Sequence, residues 1–523
     1  MKGPLENHLA ALDAVGQPLI AGGLRGIEKE SLRIDSRGHL AMTPHTAGLG
    51  SALTNAYITT DFSEALLEFV TPALTTTWEA LQTLLDIHQF TYDKLGDELL
   101  WVASMPCGIP DDADIPLARY GTSNVATMKT TYRRGLGYRY GRQMQTIAGV
   151  HFNYSLPEAF WPAYQQILGD EQGADAFRSE KYMGLVRNFR RNGWLLLYLF
   201  GASPALCKSF GDGDALRLES LNEKTWYAPF GTSLRMSDLG YNNQTQSRIS
   251  IGLNSIEEYI HDLSKAIRTP EARYEAIGVK VDGEYRQLSA NQLQIENEYY
   301  SPVRPKRVAR SGERPTAALR RGGVEYVEIR SLDINLFDPC GINQNTMRFI
   351  EAFLIYCLLE ESPPLTDADN EDARYNQAAT ARRGRDPQLY LRRNGAELPL
   401  ADWAREIITA MRPIAEHIDR AEGSDCYAAA VGKMADLVDD PSLTPSARVV
   451  EELRGQGLGF FEFALALAES HRDYFASIDP LADERFQALE QEAVDSVERQ
   501  RKIEAADDID FDEYLRRYFA KRQ

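Results

Sequence analysis

The chain has 523 residues, 43% of them hydrophobic. It can bury a large core, and its length fits either roughly three to four average domains or one large catalytic unit with helical additions. A net charge of −19 and a pI near 5.0 exclude a general attraction to nucleic acid or to an anionic membrane.

The N-terminal stretch MKGPLENHLAALDAVG lacks an apolar signal core. The longest apolar run, Trp194–Phe200, is far short of the ~20 residues a membrane span needs. These features predict a cytoplasmic protein without a membrane segment. Residues 25–34 (RGIEKESLRI) read as a strand, as do 66–71 in ALLEFVTP. Between 77 and 95, Trp78, Leu81, Leu85, His88, Tyr92 and Leu95 recur at helical spacing, which makes His88 a core histidine. Arg119–Gln145 mixes arginine with tyrosine, and its arginines are expected to be mostly solvated. Further strands are predicted at 147–154, 247–252, 292–299 and 324–334, and helices at 158–168, 175–200 and 256–268.

Beyond residue 340 the pattern becomes helical, at 343–360, 401–421 (with Pro413 predicted to kink it) and 446–520. A polar surface loop is predicted over 362–374. Strands and helices mix without regular alternation, so the fold class is α+β with a largely antiparallel sheet. Residues 1–340 are expected to form the catalytic region and 341–523 a mainly helical region packed on it as one structural unit. Five cysteines without a CxxC argue against a disulfide framework and for a reducing compartment. Cys107 and Cys207 are expected to be small buried residues. No P-loop, GxGxxG, HExxH, GxSxG or EF-hand loop occurs.

Acidic residues sit inside the strand patterns. Alternate residues of a strand share a face, so Glu28 pairs with Glu30, and Glu328 with Arg330. Glu68 lies between Leu66 and Val70, and Asp61 opens the preceding segment. For any one of these, a solvated polar face is the simpler reading. Clustered on one sheet face they would repel unless cations neutralised them. Hard oxygen ligands suit Mg²⁺ or Mn²⁺, metals that bridge ATP phosphates, and Arg330 would then clamp a phosphate. His151 shares a face with Asn153. It is either part of a site wall or a buried, hydrogen-bonded histidine.

GIEKESLRI, LGSALTNAYITTDFSEALLEFVTP, YGTSN, RYGRQMQTIAGVHFNYSLP, GWLLLYLFGASPALC, YAPFGTSLRMSDLGY, LQIENEYYSPVRPKR and RGGVEYVEIRSLDIN together resemble the proteobacterial glutamate–cysteine ligase family over most of residues 20–340. Lys29 stands where that motif usually has arginine. The resemblance implies a glutamine-synthetase-like curved antiparallel funnel with surrounding helices and a helical C-terminal third. It implies ATP-dependent joining of the γ-carboxylate of L-glutamate to L-cysteine through a γ-glutamyl phosphate, the first step of glutathione biosynthesis. By motif, Glu28, Glu30, Asp61, Glu68, His151 and Glu328 become metal ligands, with Mg²⁺ expected and Mn²⁺ possible. Glu328 and Arg330 become the catalytic pair. Gln145, Asn153 and Arg235 become the glutamate set. Phe62, Tyr132, Tyr241 and Tyr300 become the cysteine pocket, while Arg304 and Lys306 join Arg330 around the nucleotide. The resemblance also implies feedback inhibition by glutathione and a monomer. The alternatives are a ligase for another amine, a phosphotransferase without condensation, and an inactive binding protein.

Overall fold

The computed structural model describes residues 4–16, 18–211, 213, 217–239, 249–310 and 312–520. Its centre is a seven-stranded sheet of β1 (Leu24–Ile34), β2 (Ile58–Thr60), β3 (Leu66–Val70), β4 (Leu99–Leu100), β5 (Val150–Ser155), β6 (Val303–Lys306) and β7 (Tyr326–Leu332). The order is β6-β7-β5-β1-β3-β2, with β4 on the far end of β1. Every pairing in this sheet is antiparallel. With the helices around it, this is the α+β class that the sequence predicts.

The helices that shape the site are numbered α1 (Thr77–Leu95), α2 (Asn124–Tyr140), α3 (Ala174–Asn192), α4 (Gln344–Leu359), α5 (Asp483–Ala505) and α6 (Phe511–Ala520). A reciprocal capping box of Thr76 and Glu79 starts α1. Among the described residues no helix is long and apolar enough to cross a membrane.

Strand alternation gives β1 two unlike faces. One packs on helices and buries Arg25, Ile27, Lys29, Ser31 and Arg33. There Arg25 meets Glu351 of α4 at 2.7 Å, with both side chains fully buried. Tyr154 and Tyr427 donate to the same carboxylate at 3.2 and 2.9 Å. Lys29 donates to Ser31 at 2.5 Å and lies 3.0 Å from His88 of α1, a core histidine as predicted. The other face of β1 carries Glu28 and Glu30.

Several local expectations are corrected. Residues 292–299 alternate like a strand, yet they form irregular chain and a 3-10 turn at Glu296–Glu298. Tertiary bonds override the pattern: Glu298 accepts from the Gln294 amide at 2.6 Å and from Arg139 at 2.8 Å. Of 247–252, residues 247 and 248 lie outside the described residues, and 249–252 are not strand. The predicted loop at 362–374 turns helical from Asp367, because Thr366 and Asp369 form a capping box and acidic residues favour a helix N-terminus. The helix over 175–200 is two helices, α3 and Trp194–Phe200, broken at Gly193. The helix Leu400–Glu422 continues through Pro413.

Cys107 and Cys207 form a disulfide, with Cα atoms 5.8 Å apart. The expectation of free thiols at these two positions was wrong. Their separation of 100 residues left no local spacing signal. The arginines of 119–145 are not mostly solvated either. Arg139 is fully buried against Glu298, and Arg134 and Arg142 donate to backbone carbonyls.

Candidate active site

The polar face of β1, β3, β5 and β7 forms one wall of a cavity of about 630 Å³. Register brings the carboxylates together. Glu30 of β1 stands opposite Glu68 of β3, and Glu28 stands opposite His151 of β5. On the next strand Glu328 stands opposite Asn153. Antiparallel neighbours lie about 5 Å apart, so three sequence-distant acidic stretches become one cluster.

Glu28 accepts from Asn153 at 2.9 Å and lies 3.0 Å from Nδ1 of His151. Glu30 accepts from the Gly149 N–H at 2.7 Å. Gly149 has no side chain for a physical reason: a Cβ there would collide with the Arg235 guanidinium. Glu328 is held by Arg330 at 2.7 Å and Lys306 at 3.3 Å, with Arg304 at 4.0 Å. Asp61 lies 3.8 Å from Arg133.

Electrostatics sorts the carboxylates into two kinds. Burial, reinforced by the carboxylates of Glu28, Asp61 and Glu30, pushes Glu68 well above the usual range. Burial also raises Glu30, against the opposing pull of His151. Burial opposes ionisation of Glu328, but Lys306, Arg330 and Arg304 outweigh it and hold this carboxyl well below its ordinary value. In Glu28, burial is the largest effect, but the hydrogen bond and charge of His151 and the charge of Lys306 together outweigh it, and the group is lowered. Burial would lower Arg330, yet Glu328, Glu30 and Glu28 raise it, so it stays charged.

This donor set fits a divalent cation. One ligand atom from each of Glu28, Glu68 and His151 lies within 4.8 Å of the others. Oε2 of Glu328 is buried, with Nζ of Lys306 3.3 Å away. Surplus carboxylate charge, hard oxygens and one imidazole are the ligands such an ion takes.

The remaining predicted residues fall into four groups. Tyr132, Gln145, Arg235, Tyr300, Arg304 and Lys306 line the cavity with the acidic set. Arg235 is buried and donates to the Arg330 carbonyl at 2.9 Å. The Tyr300 hydroxyl lies 2.9 Å from Sδ of Met236. Asn153 acts from beside the wall, through Glu28. Phe62 is not part of the cavity wall; it is fully buried and points toward Gly137 of α2. Tyr241 lies outside the described residues.

Other lining residues escaped the sequence reading. Val125, Met128, Lys129, Arg133, Leu136 and Tyr140 join the predicted Tyr132 in one stripe of α2 along the cavity. Their spacing of three and four is helical, a signal masked by the abundance of Arg and Tyr. Lys129 lies over the Tyr120 ring at 4.9 Å, and burial, helped by Arg133, lowers it to about 8. Tyr518 of α6 also lines the cavity, and no local feature of the sequence marks it.

Comparisons with known proteins point to one family. The family model described as glutamate-cysteine ligase matches residues 9–380. The curated glutamate–cysteine ligase of Alcanivorax borkumensis is 52% identical over 515 residues, covering 98% of each chain. That of Azotobacter vinelandii is 48% identical, covering 98% of this chain and 97% of the relative. The crystal structure of glutamate–cysteine ligase from Francisella tularensis in complex with AMP superposes with a TM-score of 0.90 at 36% identity, covering 95% of this chain and 98% of that one.

Proposed function

Because this chain belongs to the glutamate–cysteine ligase family, and so joins L-glutamate to L-cysteine as γ-glutamylcysteine for glutathione biosynthesis, we propose that the cavity under β1, β3, β5 and β7 is where that bond is made. One observation carries the assignment. Glu28, Glu68 and His151 converge to within 4.8 Å beside the Glu328–Arg330 pair, in a cavity large enough for small-molecule substrates.

A free carboxylate is a poor acyl donor, and this family uses ATP to activate it. The γ-carboxylate of glutamate attacks the γ-phosphorus of ATP, giving γ-glutamyl phosphate and ADP. The cysteine amine then attacks the acyl carbon, phosphate leaves, and the amine loses a proton. Arg330 is anchored by Glu328, so its guanidinium is oriented before substrate arrives and meets the charge of the transferring phosphoryl. Arg235 is placed for the α-carboxylate of glutamate, since its planar fork binds two oxygens at once. Gln145 lines the same end, while Asn153 orients Glu28. Tyr132 and Tyr300 give the cysteine an aromatic wall with hydroxyls at its edge. Arg304 and Lys306 lie on the side of the phosphates.

The family needs a divalent metal, and we assign Mg²⁺, with Mn²⁺ as a substitute, to Glu28, Glu68 and His151, with Glu30, Asp61 and Glu328 around them. Bound there, the ion would neutralise the carboxylates and polarise phosphate oxygens. Glutathione contains the γ-glutamylcysteine unit and would compete for the same pocket. We place the enzyme in the cytoplasm, where ATP is supplied, and read it as a monomer.

The test is phosphate release from Mg·ATP and glutamate, with and without cysteine, and with the dipeptide identified by mass. Cysteine-dependent release with dipeptide is expected. Release that ignores amines would reduce the site to a phosphotransferase.

A further inference from the structure

A buried carboxylate outside the acidic cluster, that of Asp333, lies against the guanidinium of Arg235 just past the end of β7. We propose that Asp333 is a positioning residue for glutamate, which holds the Arg235 guanidinium where the α-carboxylate of the substrate meets it. This rests on the ligase reading above, with Arg235 on that carboxylate, and adds the group that aims it.

Strict alternation would send Asp333 the wrong way. Counting on from Glu328 and Arg330, it would face the helices behind the sheet. The register shows why it does not. Ile329 stands opposite Phe152, and Leu332 stands opposite Val150. Three steps along β7 thus match two along β5, so β7 carries one extra residue, a β-bulge. Phe152 and Val150 are both fully buried on the helix-packed face of β5. Leu332 returns to that face, and Asp333 after it turns to the cavity side. One step beyond the Leu332–Val150 pair on β5 is Gly149, whose missing side chain leaves room for the Arg235 guanidinium. Within the bulge, the Arg330 carbonyl accepts from Nη2 of Arg235 at 2.9 Å.

The Asp333 carboxylate is itself fixed before any ligand binds. Oδ2 accepts the Ala202 N–H at 2.9 Å and the Ser203 hydroxyl at 2.6 Å. Oδ1 accepts the Ser233 hydroxyl at 2.9 Å and lies 3.8 Å from Nη1 of Arg235. The side chains of Arg235 and Asp333 are 2% and 0% exposed, so this contact is not diluted by water. The donors come from two chain segments that run side by side at Ser203 and Ser233, and the second reaches Arg235 two residues later. One carboxylate therefore ties both the backbone and the guanidinium of Arg235 to the end of β7. Burial raises this carboxyl, while Arg235, Ser203, Ala202 and Ser233 pull it back down. Arg235 also stabilises the charge of Glu30 in the acidic cluster. Asp333 competes with that attraction. At 3.8 Å it does so as a charge contact and takes up none of the hydrogen bonds of the fork.

The test compares the full chain with Asp333→Asn, Ser203→Ala, Arg235→Lys and the double variant Asp333→Asn with Arg235→Lys. The KM for each substrate and kcat per folded molecule are measured for all five. Asp333→Asn should raise the KM for glutamate about 10-fold, with kcat within about 3-fold of wild type and the KM for ATP unchanged. Ser203→Ala keeps the charge but loosens the carboxylate, and should raise the glutamate KM about 2- to 3-fold. Because Asp333 acts through Arg235, the double variant should be little worse than Arg235→Lys alone. An unchanged glutamate KM in Asp333→Asn overturns the proposal. Should that variant not fold, an unchanged glutamate KM in Ser203→Ala overturns it instead. Effects that multiply in full in the double variant also overturn it, since a purely structural Asp333 would give that result. Arg235→Lys separates the two failures. A wild-type glutamate KM there removes Arg235 from the glutamate site and the proposal with it, whereas a raised one beside a silent Asp333→Asn removes only the positioning role.

Discussion

Two buried polar clusters lie on opposite faces of β1. Behind the strand, Arg25 and Glu351 are charge-matched, and Tyr154 and Tyr427 complete the carboxylate's bonding. In front, Glu28, Glu30, Asp61, Glu68 and Glu328 outnumber the cations that touch them, and Glu68 is pushed well above its normal range. A cluster that serves only the fold closes on itself. A cluster that serves chemistry stays short of positive charge until metal and substrate supply it. Buried charge alone therefore does not mark a site; imbalance in a cavity does.

Substitutions can break this contrast. Glu328→Gln should have the largest effect, lowering turnover per folded molecule at least about a thousand-fold, because it removes the charge that anchors Arg330; leaving Arg330, Lys306 and Arg304 without that counter-charge should also lower the melting temperature. Near-normal turnover would take Glu328 out of the site. Arg330→Ala should lower kcat by about 10³-fold and shift the KM values for glutamate and cysteine much less, since it acts on charge that develops during phosphoryl transfer. Glu351→Gln should do the reverse. It leaves Arg25 buried without a counter-charge and should cost about 3–5 kcal/mol in denaturant unfolding, with unchanged turnover per folded molecule. A large catalytic defect without destabilisation would erase the distinction between the clusters.

Glu68→Gln sharpens the comparison. In chelator it should raise the melting temperature by a few degrees, because it relieves like-charge repulsion, and it should reduce the stabilisation gained on adding Mg²⁺. A lower melting temperature in chelator would mean that the front cluster is balanced after all. The smallest signal is a pH slope from Lys29. Burial lowers this lysine to about 8. The folded state then binds fewer protons than the unfolded state between about 8 and the ordinary lysine value. Its contribution is fully present above that ordinary value and is lost as pH falls through about 8. Lys29→Met should flatten that part of the stability curve, read by urea unfolding across pH 7.5–10 (about the window set by the two pKa values).

The sequence alone determined the period-two strands, and with them the shared faces of Glu28 with Glu30 and Glu328 with Arg330. It also determined the helical stripe that buries His88. Its long motifs carried the family resemblance, and with it thirteen of the 28 lining residues, the acidic set among them. These are short-range properties, fixed by backbone geometry within a few residues. The tertiary structure decided which strands became neighbours, and so placed Glu28 opposite His151 and Glu30 opposite Glu68. It withdrew Phe62 into the core and turned 292–299 from an apparent strand into a turn. It joined Cys107 to Cys207 and carried Tyr518 to the cavity from the far end of the chain. No local pattern encodes such pairings, because they are settled by the packing of segments that approach one another only once the whole core has formed.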